Sequence, residues 1–274
     1  TGVQTCALPI SYSSMGSDLA DVNNDGHPDL FTVEMLPKDN KRKKVNMNAN
    51  NYNHYLFTEE YKYEYEFVRN TFQLYQGLNP KTKLPLYSDI AFLAGVEATD
   101  WSWSPLLADF DNDGYRDLLI TNGFPRDITD HDFGAFRSSI SSSLVTRNEL
   151  MNMIPEVKIP NFIFKNNGNL GFQDKSHEWG IDQKSFTNGT AYADLDNDGD
   201  LDIVTNNIDD AAFLYENTLM ESKGKESNNG PHYLRVRLEG PSANPQAYGA
   251  RVTIWTDHQL QVDRKSTRLN SSHI

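Results

Sequence analysis

Apolar residues in this chain come in short bursts, not long stripes. LFTV from Leu30, LLIT from Leu118 and IVTN from Ile203 are each of strand length. Each follows a strongly polar nonapeptide, and each nonapeptide follows an alanine: Ala20, Ala108 and Ala193. This pattern predicts two short β-strands joined by a polar loop, three times over. A further strand recurs downstream, as FQLYQG from Phe72, FIFKNNG from Phe162 and FLYEN from Phe213.

More of the unit repeats. DIAFLAGV carries Asp89 and Gly95, and DKSHEWGI carries Asp174 and Gly180. Each glycine lies 14 residues before the first aspartate of the next polar loop. The same place in the first unit holds Ala7. From loop to downstream phenylalanine the first two units run 51 and 53 residues, the third only 19. Insertions of 32 and 34 residues account for the difference, leaving a unit of about 50 residues with about four strands, the length of a propeller blade. The expected fold class is therefore all-β: a partial β-propeller of about three blades, two with partly helical insertions, and then a truncated C-terminal β module.

The expected organisation is a repeat region over 11–219, a polar linker over 220–231, and a β module over 232–262 in which HYLRVRLEG and GARVTIW pair as strands. TGVQTCALPI at the start and DRKSTRLNSSH near the end resemble translated sequencing-adapter read-through. Residues 1–10 and 263–274 are accordingly expected to be foreign to the natural chain.

The nonapeptides carry the chemistry. DVNNDGHPD, DFDNDGYRD and DLDNDGDLD place oxygen side chains at positions 1, 3, 5 and 9. These are Asp21, Asn23, Asp25 and Asp29; Asp109, Asp111, Asp113 and Asp117; and Asp194, Asp196, Asp198 and Asp202. Position 6 is always glycine, which allows a sharp turn. The position-7 residues, His27, Tyr115 and Asp200, are expected to contribute a backbone carbonyl. Five or six oxygens around one point suit a hard cation, Ca²⁺ above all, and disfavour zinc. An EF-hand needs an acidic residue at position 12 followed by a helix. Thr32, Ile120 and Thr205 stand there, with β-like flanks. Asn23 leaves the first loop one charge weaker than the others.

Composition narrows the partners. The 274 residues carry a formal net charge of −13, which argues against binding nucleic-acid phosphates. No apolar run approaches the roughly 18 residues that span a bilayer. Cys6 is the sole cysteine, so there is no disulfide framework.

The acidic loops in this setting resemble FG-GAP/VCBS repeats, the Ca²⁺-loop blades shared with integrin α-subunit propellers, over roughly 11–217. HYLRVRLEG…NPQAYGARVTIW resembles the start of an ASPIC/UnbV domain. Together with ATDWSWSPLLADFDNDG and NNGNLGFQDKSHEWGI, they resemble bacterial, Bacteroidetes-like relatives of cartilage acidic protein. The resemblance implies a Ca²⁺-binding, non-catalytic module at the cell surface, in the outer envelope or outside the cell. Its implied partners are a glycan or a cell-surface protein, in adhesion or recognition. A polysaccharide lyase or hydrolase on the same scaffold is the alternative, and a pure scaffold is a third. Neither G-x-S-x-G nor H-E-x-x-H occurs. Trp101, Trp103, Tyr61, Tyr63 and Tyr65 could stack on sugars, or pack between blades and coat a helix. PRDITDHD, with Arg126, Asp127, Asp130, His131 and Asp132, reads as a polar ligand site or a capped loop start.

Overall fold

Alternating short strands with tight polar turns can bury apolar faces only by stacking sheets, and the chain does so. The computed structural model describes residues 10–46, 52–140, 145–223, 232–256, 259–264 and 271–273. It is mostly β, with several antiparallel sheets, none closed on itself.

Three of these sheets follow one another along the chain. The first holds Gly16–Ala20, Asp29–Val33, Thr71–Leu78 and Pro85–Asp89, in that spatial order. The second holds Ser102–Ala108, Asp117–Asn122, Phe162–Asn166 and Phe172–Asp174. The third holds Thr187–Ala193, Asp202–Asn207 and Phe213–Tyr215. Each acidic loop joins the first two strands of its sheet, as the apolar pattern predicts. The first strands of the three sheets lie side by side.

The pairing register corrects the repeat alignment by one residue. Phe162 pairs with Ile120 and Phe213 with Thr205, but Thr71, not Phe72, pairs with Thr32. Asp21 to Thr71 is 50 residues against 19 from Asp194 to Phe213, so the first insertion is 31 residues long.

Two cores lie between the sheets. Phe31, Phe72, Leu118, Ile120 and Phe164 fill the first; Phe110, Leu119, Ile163, Ile181 and Ile203 fill the second. The Asp117–Asn122 strand is buried throughout, because its alternating residues feed both cores. Phe31 meets Phe72 edge-on, with ring centroids 5.2 Å apart.

The paired Asp–Gly spacing has a local cause. Asp89 Oδ1 accepts from Phe72 N and Ala91 N at the start of a one-turn helix, and Gly95 closes that helix at φ 73°. Asp174 Oδ1 likewise accepts from Ser176 N, and Gly180 sits at φ 74°. Val96 and Ile181 then enter the cores. Ala7, at the matching place in the first unit, lies outside the described residues.

The insertions carry helices at Asn40–Val45 and Tyr52–Tyr61, and at His131–Ser139 and Arg147–Asn152. They meet through Arg42, which reaches Asp100 at 2.7 Å and Asp127 at 3.1 Å. The C-terminal strands pair differently from expectation. Arg251–Trp255 pairs with Leu260–Arg264, and Arg235–Arg237 with Ser271–His273, so HYLRVRLEG and GARVTIW do not pair with each other. Both partners include residues from the stretch expected to be foreign. Of the expected linker, residues 220–223 belong to the helix Leu219–Lys223, and 224–231 lie outside the described residues. So do 1–9 of the expected foreign start. No helix among the described residues is long and apolar enough to cross a membrane.

Candidate metal centre

The three acidic loops share one hydrogen-bonding frame. At position 9, each aspartate spends both oxygens on backbone N–H groups. Asp29 accepts from Val22 N at 3.0 Å and Tyr75 N at 2.8 Å. Asp117 accepts from Phe110 N at 3.1 Å and Asn166 N at 2.9 Å. Asp202 accepts from Leu195 N and Asn217 N, both at 2.9 Å. Each therefore ties the start of its loop to the third strand of its own sheet or the residues just beyond it. All three are buried.

Positions 1 and 5 shape the turn. Asp21 accepts from Asp25 N at 3.1 Å and Gly26 N at 2.7 Å, and Asp109 from Asp113 N at 3.1 Å and Gly114 N at 2.8 Å. The position-7 N–H donates to the position-5 carboxylate in all three: His27 to Asp25 at 2.8 Å, Tyr115 to Asp113 at 2.9 Å and Asp200 to Asp198 at 3.0 Å. Gly26, Gly114 and Gly199 take φ 87°, 89° and 102°, where a β-carbon would be strained. The position-7 side chains turn elsewhere. His27 stacks on Tyr75, Tyr115 packs against Gly168, and Asp200 Oδ2 accepts from Met220 N at 3.0 Å.

This frame gathers acid groups. Asp109, Asp111 and Asp117 each bring one carboxylate oxygen within 4.8 Å of the others, and so do Asp194, Asp196 and Asp198. In the first loop Asn23 replaces one acid; its Nδ2 donates to Asp25 Oδ2 at 3.1 Å. In the second loop Lys165 Nζ contacts Asp113 Oδ2 at 2.6 Å and also Asp111. In the third, Arg235 contacts Asp194 and reaches Asn197 Oδ1 at 3.1 Å. The amide of Asn23 thus does within its loop what a basic side chain does in the other two.

Burial and crowding act on the acids together. Asp29 and Asp109 are pushed up to about 6 by burial, with neighbouring loop carboxylates adding to the rise. Burial also raises Asp21, Asp111 and Asp200, and it raises Asp117 well above the usual carboxylate range. Asp111 Oδ1 and Asp198 Oδ2 are buried with no hydrogen-bond partner. A buried carboxylate oxygen without a partner is costly, and a cation among these oxygens would satisfy it. The donor set is oxygen throughout, so the residues fit a hard divalent ion.

Several contributors escaped the sequence reading. Asn24, Asn112 and Asn197, identical at position 4, all take left-handed φ of 53–65°. Their identity across three loops was the available signal. Lys165 and Arg235 lie far away in sequence and gave none, whereas Asn166 and Asn217 each stand four residues after the recurring phenylalanine, Phe162 and Phe213. C-terminal residues approach the same loops: Arg251 Nη2 donates to Gly26 O at 2.7 Å and Gln261 Nε2 to Gly114 O at 3.4 Å.

The other candidates resolve structurally. Trp101 is buried and stacks on Phe124 at 4.5 Å, and Trp103 Nε1 donates to Gly123 O at 2.7 Å. Tyr61, Tyr63 and Tyr65 are exposed on and beside the Tyr52–Tyr61 helix, where they stack among aromatic neighbours. Asp130 caps the helix His131–Ser139, accepting from Phe133 N at 2.7 Å, and Asp127 takes Arg42. PRDITDHD is thus a capped start. A cleft of about 430 Å³ opens beside the second loop, lined among others by Asp111, Glu178, Trp179, Tyr215 and Asn217. The Tyr215 hydroxyl is buried there without a hydrogen-bond partner. No family model and no curated protein matches this chain.

Proposed function

We propose that this chain is a non-catalytic, calcium-binding repeat module of the FG-GAP/VCBS type, its three sheets being blades of a β-propeller and its C-terminal strands the start of an ASPIC/UnbV-like module. The observation that carries this reading is the loop frame: three nonapeptides that share the bonds of the position-9 carboxylate and of the position-7 N–H, two of which leave a buried carboxylate oxygen unpartnered. In each loop the side chains at positions 1, 3, 5 and 9 would hold the ion, with the carbonyl of His27, Tyr115 or Asp200. Bound Ca²⁺ would supply positive charge where the carboxylates repel, and hold the first two strands of each sheet in register. Such a module works where Ca²⁺ is abundant, outside the cell or at its surface.

Calcium titration against thermal unfolding tests this. An ion that binds only the folded chain adds about 2.7 kcal/mol per site at 100 times its Kd, so calcium should raise the midpoint and a chelator should lower it. An unchanged midpoint rejects the reading.

The partner class is a glycan or a surface protein. The cleft beside the second loop supports the glycan: Trp179 lines it, and Glu178 offers a polar partner for sugar hydroxyls. Binding to a glycan array that Trp179→Ala abolishes is the expected result. Turnover of a polysaccharide would instead favour the enzyme.

A further inference from the structure

Consecutive acidic loops are latched to each other twice, by equivalent side chains each time. In the forward direction, Asn24 Nδ2 donates to Gly114 O at 2.9 Å, and Asn112 Nδ2 donates to Gly199 O at 3.1 Å. Each is the position-4 residue of one loop reaching the position-6 carbonyl of the next. In the return direction, Asn166 Nδ2 donates to Val22 O and Asn217 Nδ2 to Phe110 O, both at 2.8 Å. Each of these starts from the residue whose N–H binds the position-9 aspartate, and ends on the position-2 carbonyl of the loop before. Asn166 is fully buried.

The acceptors lie where ligand geometry is set. The Gly114 carbonyl belongs to the same peptide unit as the Tyr115 N–H, which donates to Asp113 Oδ1. Asn24 therefore holds one end of a peptide whose other end orients a carboxylate of the second loop. Asn112 holds the Gly199–Asp200 peptide in the same way, and Asp200 N donates to Asp198 Oδ1. The return latches grip the peptides that lead into Asn23 and Asp111, the position-3 residues. The asparagine conformation helps: left-handed φ is disfavoured for most side chains but tolerated by asparagine, and the same conformation recurs at all three position-4 sites.

We propose that Asn24, Asn112, Asn166 and Asn217 are positioning residues that couple the three cation loops, so that filling one loop orients the carboxylates of the next and calcium binds cooperatively. None of the four belongs to the expected ligand set. The inference rests on the calcium reading above. Coupling between sites requires two arrangements of the linking elements that both ligands bias; here the linking elements are the latched peptides.

The test uses the full chain and calorimetric titration with Ca²⁺ at fixed ionic strength, on the parent, Asn24→Ala, Asn112→Ala and the double variant. Circular dichroism confirms that each is folded, and Asn169→Ala, outside the latches, serves as control. The parent and the control should bind with a Hill coefficient above 1. Each latch variant should keep the number of ions bound, lose cooperativity toward a coefficient of 1, and weaken overall affinity by about 5-fold or more. Should Asn112→Ala not fold, Asn112→Ser, which shortens the side chain out of reach of Gly199 O while staying polar, gives the same readout. Independent binding by the parent, or variants with the parent's isotherm, overturns the coupling and leaves the calcium reading standing. A parent that binds no calcium at millimolar concentration overturns both.

Discussion

Lys165 Nζ sits 2.6 Å from Asp113 Oδ2 and also contacts Asp111, so the second loop carries its own organic cation. The lysine comes from the third strand of the same sheet, Phe162–Asn166. It neutralises part of the charge that a bound divalent ion would neutralise. The two are therefore rivals for the same carboxylates, and the rivalry makes a prediction. Lys165→Met should destabilise the calcium-free protein and enlarge the midpoint shift that calcium produces. About 1 kcal/mol corresponds to roughly 2–4 °C in a chain of this size. Differential scanning fluorimetry with and without chelator reads both effects; an equal shift in variant and parent would refute the rivalry.

The pH dependence should change sign with calcium. Asp29 and Asp109 titrate near 6 in the folded chain and near 3.8 when unfolded. Between those values the folded chain holds more protons than the unfolded one. Without calcium these two groups therefore lower stability as pH rises from about 4 to 6, and acidification through that window restores it. With calcium the ion holds the carboxylates ionised, and protons displace it as pH falls. Midpoints measured from pH 7.5 to 5 should rise on acidification in chelator and fall in calcium.

Removing a position-9 aspartate should be costly with or without the ion. Asp29→Ala strands the N–H groups of Val22 and Tyr75 at a buried site, and Asp117→Ala those of Phe110 and Asn166. Charge-assisted bonds of this kind contribute about 1.5–3 kcal/mol each, so the loss should be roughly 3 kcal/mol or more. Chemical denaturation in excess calcium and in chelator measures it, and a loss seen only in calcium would show that these residues act only as ligands.

Arg42 joins the two insertions by contacting Asp127 and also holds Asp100, just ahead of the second sheet, both acids being buried. Arg42→Ala leaves two uncompensated carboxylates and should cost about 3–5 kcal/mol. Arg42→Lys should recover little, because one ammonium cannot reproduce a guanidinium that donates through Nε, Nη1 and Nη2. Urea unfolding of the two variants decides.

Much of the local structure could be read from the chain alone. Short apolar runs flanking DxDxDG-like loops placed the first two strands of each sheet, because period-2 burial and glycine turns are properties of neighbouring residues. The Asp–Gly spacing of six recurs because Asp89 and Asp174 start, and Gly95 and Gly180 end, equivalent local turns, the first of them a one-turn helix. Where pairing depended on distant segments, sequence was a poorer guide: Thr71 takes the place expected of Phe72, and HYLRVRLEG finds a different partner from GARVTIW.

The acidic loops show the same division. The identity and spacing of Asp109, Asp111, Asp113 and Asp117 led to the expectation of a hard-cation site, and Asp109, Asp111 and Asp117 do bring carboxylate oxygens together. Only the tertiary structure decided that Asp117 also fastens Asn166, that Lys165 and Arg235 contact the same kind of loop acids, and that Asn24 and Asn112 reach into the loops that follow. The physical reason is range. A nonapeptide's turn is set by dihedral angles and contacts within nine residues, whereas these bonds join atoms 38 to 90 positions apart along the chain, and packed sheets alone bring such atoms together.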